Sequence, residues 1–447
     1  GQFALSCNLE HNMNILKTFG LLVLIIGAAS ASSKHNKQGR SNAPSSSSLK
    51  PTNWLSVQEL QSLPSAEDIS LQQLENMSVQ EGERLIEKIY HLSKIDHNLR
   101  PTYVPSASNV PVVFVKPNGQ NVECNLNELV SKAKQQPNFG SEEVTIFITG
   151  LPQSSPAVAK ANKKLVQAYM QRYHGQQQPV NANFESDERQ PATSSEEDYS
   201  ESWKQPRANK GNFVIIKLGA TLTNMKRYAL LDVEQTGQMI GKTLVQLTDE
   251  ADVPQEIIHV IGQGIGAQVA GAAGRQYKRW TGHQLRRITA LDPAKIFASD
   301  KKVLSGLARG DADFVDAIHS STCGLGTRRR VGDVDFFVNG PASVAPGADN
   351  VVEAAMRATR YFAESVRPGN QRNFAAVPAS SKQQYESNEG YGKRAYMGIA
   401  AQYDLKGDYV LNVNAKSPFG KSSPAQKQNS YHGLHQAWRS DKKNSQY

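Results

Sequence analysis

Short apolar runs rich in β-branched residues recur between residues 112 and 318, separated in several places by stretches with helical spacing. Val112–Val115, Val144–Ile148, Phe213–Ile216, Ile257–Ile261, Ile288–Leu291 and Phe314–Ile318 read as buried strands, the first closed by Pro117-Asn118-Gly119. Thr236–Thr248 and the small-residue run Ala267–Gly274 read as helices. Strands alternating with helices predict one α/β domain over 106–415, a mostly parallel sheet covered on both faces. Upstream, Leu85, Ile89 and Leu92 repeat at helical spacing. Both Ser56-Val57-Gln58-Glu59 and Ser78-Val79-Gln80-Glu81 have the form of a capping box, so 51–105 is expected to be a small helical region. Its apolar stripes are expected to pack on the main domain, with a lipid or receptor contact as the alternative.

The polar stretches frame this pattern. Residues 32–50 and 416–447 carry almost no apolar content and are expected to be a disordered segment and a polar tail. A third such stretch, 172–211, interrupts the domain as an exposed acidic loop centred on Glu185-Ser186-Asp187-Glu188 and Thr193 to Glu201. Ahead of them, Met13 opens a secretory signal over 13–31: Lys17, the apolar run Leu21–Ile26, then Ala29-Ser30-Ala31 as cleavage site, leaving 1–12 as a non-translated leader. That apolar run is shorter than the roughly 20 residues a membrane span needs.

Composition narrows the function classes. With 38% hydrophobic residues in 447, the chain is long enough for a large core and too polar for a polytopic membrane protein. The net charge of +9 comes without interleaved aromatics, zinc-finger spacing or an RNA-binding signature, so no nucleic-acid partner is expected. No His/Cys/Asp spacing suits a metal and no Gly-rich loop has phosphate-binding form, so no cofactor is expected either. Of the three cysteines Cys7 precedes Met13, leaving Cys124 and Cys323; one disulfide is the maximum, and the sequence does not decide whether they pair.

One place carries chemistry. The apolar strand ending at Ile261 runs into Gly262-Gln263-Gly264-Ile265-Gly266 and then into the small-residue helix: the strand–turn–helix setting of a nucleophile elbow. Its centre is Gly264. A residue with a Cβ at such a centre bears strain of about 1–3 kcal/mol, which glycine largely removes.

The segment His259 to Arg275, HVIGQGIGAQVAGAAGR, resembles the elbow of the animal neutral lipases, H-x-I-G-H-S-L-G-A-H-x-A-G-x-A-G-R. Three further blocks match in order: Ile288–Ala294, Asp311–His319 and Gly332–Gly340. The resemblance implies an α/β-hydrolase fold. Carried over position by position, it places the nucleophile on Gly264, the acid on Asp292 and, through Arg357-Ala358-Thr359-Arg360-Tyr361-Phe362-Ala363-Glu364-Ser365, the histidine on Ala355. The oxyanion-loop histidine and glycine fall on Thr149 and Gly150, and the cysteines flanking the lid-side loop are absent near Pro346-Gly347 and Glu353. Without serine and histidine the acyl-enzyme route is closed, so the chain is expected not to be an enzyme and Asp292 to be structural. His259 and His319, the other histidines beside apolar strands, are expected to be satisfied and partly buried.

A secreted lipase-like chain lacking these groups and carrying an acidic Tyr/Ser loop is similar to the yolk proteins of higher flies, also at Ile86–Ser93, Glu143–Ile148, Arg309–Asp313 and Tyr391–Arg394. That resemblance implies a storage protein secreted into haemolymph, taken up by an oocyte endocytic receptor, assembled with itself or related yolk proteins, and held in yolk granules. The alternatives are a carrier of lipid or steroid conjugates in the former acyl cleft, and an esterase with another nucleophile. Tyr199, within Glu196-Glu197-Asp198-Tyr199-Ser200-Glu201, suits sulfation; Ser186, Ser194 and Ser195 each have an acid two residues on and suit phosphorylation. Asn76-Met77-Ser78 is a glycosylation sequon at a helix start.

Overall fold

The computed structural model describes residues 63–421, apart from 65–67, 96–98, 176–210, 299–304, 342–344 and 388–389. The signal and leader, the 32–50 segment, the Ser56 capping box, Ser186, Ser194, Ser195 and Tyr199 lie outside the described residues, as does the tail beyond 421.

An eleven-stranded sheet runs through the domain in the order β10-β9-β11-β8-β7-β6-β5-β3-β4-β1-β2. Its centre is built from β3 (Glu143–Ile148), β4 (Gly211–Ile216), β5 (Ile258–Gln263), β6 (Arg287–Leu291), β7 (Phe314–His319) and β8 (Val334–Val338), every adjacent pair parallel. These strands read as continuous apolar runs because both faces are covered; β5, β6, β7 and β8 are buried at every residue. β11 (Gly407–Leu411) extends the parallel part beside β8, whereas β1 (Pro111–Val115), β2 (Val122–Asn125), β9 (Ala375–Pro378) and β10 (Ala395–Tyr396) are antiparallel additions at the two edges. The expected α/β-hydrolase architecture is thus present; β1 matches the expected strand at 112–115, whereas β2, β9, β10 and β11 were not marked by the sequence pattern.

Helices α6 (Val233–Ala251) and α7 (Ile265–Thr281) cover one face, α4 (Pro156–His174) and α8 (Val351–Val366) the other. Side chains too small to hold backbones apart set the α6–α7 spacing: a Cβ on Gly237 would run into Ala272, and one on Gly241 would lie 2.8 Å from the Ala273 carbonyl. Two shorter helices complete the domain before α7, α3 (Leu129–Lys134) and α5 (Met225–Ala229), and α9 (Lys382–Ser387) follows β9.

The N-terminal helices are α1 (Leu71–Asn76) and α2 (Val79–Ile95). The second capping box forms as expected: Ser78 N donates to Glu81 Oε2 at 3.0 Å and Glu81 N to Ser78 Oγ at 3.4 Å. Both helices bury their stripes on the main domain, because Leu74, Leu85, Ile86, Ile89 and Leu92 belong to the same core cluster as Ile240, Val269 and Val351. Three boundaries differ from the sequence reading. Residues 172–174 belong to α4 rather than to the acidic insertion, held by the buried Tyr173, whose hydroxyl meets Thr145 Oγ1 at 2.7 Å, and Gly211 already opens β4. After Leu99 the chain is extended rather than helical, with Thr102 N and Tyr103 N both donating to the Leu230 carbonyl at 3.0 Å. The polar tail begins later than 416, since Phe419 N and Gly420 N donate to the Glu364 carboxylate at 2.8 and 2.9 Å.

Candidate functional site

Sites in open α/β sheets form beyond the carboxyl ends of the parallel strands, and the elbow stands there. β5 ends at Gln263, α7 starts at Ile265, and Gly264 between them has φ 58° and ψ −120°. Its N–H donates to the Leu291 carbonyl at 2.9 Å and its carbonyl accepts from Ala294 N at 3.1 Å, so the turn is tied to the end of β6. The flanking glycines are needed for close approach: a Cβ on Gly266 would lie 2.6 Å from the Ile148 carbonyl, and one on Gly262 would strike Ala267. At Gly264 the reason is different. No heavy atom stands within 4 Å of a Cβ built there, so the requirement is the positive φ alone. A turn centred on glycine presents no side-chain nucleophile.

Asp292, immediately after β6, is 1% exposed and also has a positive φ, 51°. Its Oδ1 accepts from Ser320 N at 2.9 Å and Ser321 N at 2.8 Å, and Oδ2 accepts from the Ser321 hydroxyl. Burial raises the carboxyl above the usual aspartate range against the pull of these bonds. The carboxylate thereby fastens the loop leaving β7 and directs no bond to a histidine. Ser320 continues the link: its hydroxyl donates to the Ala354 carbonyl at 2.8 Å and accepts from Ala358 N at 3.2 Å, which bonds the same loop to α8 around Ala355. Ala355 is 3% exposed in the core cluster that also holds Leu74 and Val352.

On the opposite flank Thr149 and Gly150 follow β3. Gly150 packs so closely on the elbow that a Cβ would strike the Gln263 carbonyl, and Thr149 Oγ1 accepts from Gly219 N at 3.1 Å. Gln263, beside the elbow centre, is turned into the core, where its Nε2 donates to Asn162 Oδ1 and Thr359 Oγ1, each at 2.9 Å. No sequence signal marked this bridge between α4 and α8.

Both strand histidines are sealed in the core, His259 0% and His319 1% exposed, rather than partly buried, and His259 Nδ1 has no hydrogen-bond partner among the described residues, so that ring is not fully satisfied as expected. Burial, then Arg287, pushes the His259 ring well below the usual range, and Nε2 lies 2.8 Å from Thr289 Oγ1, whose proton goes to Asp316. His259 Nε2 is therefore the protonated nitrogen in that bond. His319 has both nitrogens engaged, Nε2 with Asp335 Oδ1 at 2.8 Å and Nδ1 with the Thr327 carbonyl at 3.1 Å, and stacks on Phe337. Among the described residues no cluster of His, Cys, Asp and Glu suits a metal, and no helix is long and apolar enough to cross a membrane. Cys124, on edge strand β2, and Cys323, in the loop after β7 where its sulfur accepts from Arg328 at 2.9 Å, are not disulfide-linked.

The helices α1 and α2 occupy the space in front of this edge, a feature invisible in the sequence. The crevice remaining between Leu71, Leu74, Leu151, Leu222, Met225 and Leu325 holds about 20 Å³, little more than one water. A larger cleft of about 440 Å³, near Lys116, Asn138 and His174, lies at the opposite, amino ends of β3 and β4. Asn76 is exposed at the end of α1, and the hydroxyl of its sequon partner Ser78 donates to Glu81 at 2.7 Å.

Fold and elbow together define the class: the chain belongs to the lipase family, whose model, described as Lipase, matches residues 140–419. Vitellogenin-1 of Ceratitis capitata is 72% identical over 439 residues, covering 97% of this chain and 100% of that protein. Vitellogenin-3 of Drosophila melanogaster is 58% identical over 395 residues (87% of this chain, 93% of that protein), and Vitellogenin-2 of Ceratitis capitata 54% over 425 residues (95% and 99%). Within the lipase family the chain therefore stands among the fly yolk proteins.

Proposed function

We propose that this chain is a secreted yolk storage protein without hydrolytic activity, taken up by an oocyte endocytic receptor, assembled with itself or related yolk proteins, and kept in yolk granules as embryonic nutrient. The observation that carries the reading is the composition of the elbow edge: glycine at 264, alanine at 355, and an Asp292 carboxylate committed to Ser320 and Ser321. A fold that retains the turn and the acid while lacking nucleophile and base supports retention of the scaffold as bulk. Sulfation at Tyr199, phosphorylation at Ser186, Ser194 and Ser195, and a glycan at Asn76 belong to the same proposal and would be read by mass spectrometry of protein from haemolymph.

Two measurements test it. Purified full-length protein should hydrolyse p-nitrophenyl butyrate and phosphatidylcholine no faster than buffer; activity abolished by Asp292→Asn would overturn the structural reading of that residue, and activity surviving it would favour an unrecognised nucleophile. Labelled protein placed in haemolymph should accumulate in oocytes, and its exclusion from them would sink the storage reading. A lipid or steroid carrier gains no support from the elbow crevice, whose 20 Å³ is far below the roughly 300 Å³ of a ligand pocket.

A further inference from the structure

Helices α1 and α2 meet the rest of the molecule along the rim made by the loops that follow β3, β4, β6 and β7. Leu71 and Leu74 stand across the crevice from Leu151, Leu222, Met225 and Leu325. Around this apolar contact runs a set of polar fastenings. Glu75 accepts from the hydroxyl of Ser155, the N-cap residue of α4. Met225 N donates to the Ile69 carbonyl at 3.1 Å, and Lys94 Nζ donates to the carbonyls of Ile296 and Phe297 at 2.5 and 3.0 Å. Gly82 brings α2 against the start of α8 so closely that a Cβ would lie 2.8 Å from Val351 Cγ1. Every group contacted lies on the strand edge that carries Gly264, Asp292 and Ala355.

The contact joins a shared apolar core to polar fastenings that are incompletely compensated. Burial, then Arg329, drives the Lys94 ammonium down to about 8, although Nζ donates to two carbonyl oxygens and lies 5.0 Å from the centre of the Tyr90 ring. Glu87 Oε2 is buried without a hydrogen bond, 3.8 Å from Lys295 Nζ. These groups are partly desolvated without full compensation, which lowers the cost of separation. The chain re-enters the domain at Thr102 and Tyr103, bonded to Leu230, so α1–α2 can lift without unzipping the sheet.

We propose that α1–α2 is a built-in plug: Ile69, Leu71 and Leu74 close the crevice beside the elbow, α2 fastens them there, and the apolar rim beneath becomes accessible only when the pair lifts. The proposal is independent of the storage reading, since the same plug would seal an active or an inactive elbow.

Full-length protein carrying Gly82→Cys and Val351→Cys tests the docked state, because the Gly82 Cβ position lies 3.5 Å from Val351 Cβ, within the disulfide range. Oxidation should yield the linked peptide by mass spectrometry, and the locked protein, like the unmodified one, should give no saturable fluorescence gain with cis-parinaric acid. Gly82→Leu, which has no room against Val351, should show probe binding about tenfold or more above that baseline and faster trypsin cleavage at Arg100. Lys94→Ala, which removes both carbonyl bonds without a clash, should move both readouts in the same direction and serves if Gly82→Leu does not fold. Failure of the disulfide to form in folded protein would overturn the plug. So would equal probe binding by locked and Gly82→Leu protein, or a pair released by either variant with no gain in probe binding.

Discussion

Gly264 has room for a Cβ but sits at a φ of 58°, so its two requirements separate cleanly. Gly264→Ser is expected to cost about 1 kcal/mol through backbone strain, with no steric clash, and to leave ester hydrolysis at the buffer rate because Ala355 supplies no base. Thermal unfolding and a p-nitrophenyl butyrate assay read both; a clear gain in hydrolysis refutes the reading. At Asp292 the two conservative tests diverge. Asp292→Ala strands the N–H groups of Ser320 and Ser321 and should cost about 2–4 kcal/mol, whereas Asp292→Asn keeps an oxygen for them, tolerates the φ of 51°, and should cost about 1 kcal/mol. Similar losses for both, measured by denaturant unfolding, would contradict this account. Asp311 gives a pH dependence: burial pushes its carboxyl up to about 6 despite the Arg275 Nη1 at 2.7 Å. A carboxyl whose folded value is raised binds more protons when folded, so its contribution is present at low pH and is lost as pH rises through about 6. The stability of the protein relative to Asp311→Asn should therefore fall between about pH 4 and pH 7, by at most about 3 kcal/mol, and a difference that is flat or rises there would count against the raised value.

At the scale of elements, the packing of α6 on α7 depends on glycines that local propensity would disfavour inside helices. Gly237→Val places a branched side chain against Ala272, where even a Cβ collides, and should cost about 3 kcal/mol or more by chemical denaturation; a change below about 1 kcal/mol would show that the two helices can separate freely. The elbow strand and its helix were legible because both are defined by neighbours in sequence: a buried β-branched run, a glycine turn, a small-residue helix. The edge strands β9, β10 and β11 were not legible. Their runs are short and half-buried, and what makes them strands is a partner far along the chain, as when Tyr409 of β11 lies opposite Phe336 of β8.

Across the whole molecule, the N-terminal pair shares its apolar cluster with the main domain, which argues against an independently folded unit. Thermal transitions followed by far-UV and near-UV circular dichroism should coincide, and a separate early loss of helix would indicate that α1–α2 melts alone. Continuity of the core also explains why the 51–105 segment looks like an accessory region in sequence: an amphipathic stripe announces that it will be covered, but not by what.

Residue identity and local period were enough for the α/β class and for an elbow with Gly264 at its centre, and they put glycine and alanine at 264 and 355, where the resemblance to the lipases implies serine and histidine. Neither needs a tertiary partner. That the Asp292 carboxylate binds Ser320 and Ser321, that Gln263 joins α4 to α8, and that α1 lies beside the elbow edge emerges only on folding. The reason is physical: which buried polar atoms and apolar faces meet is set by the closure of long loops and the filling of one shared core, and neither is written in the spacing of adjacent residues.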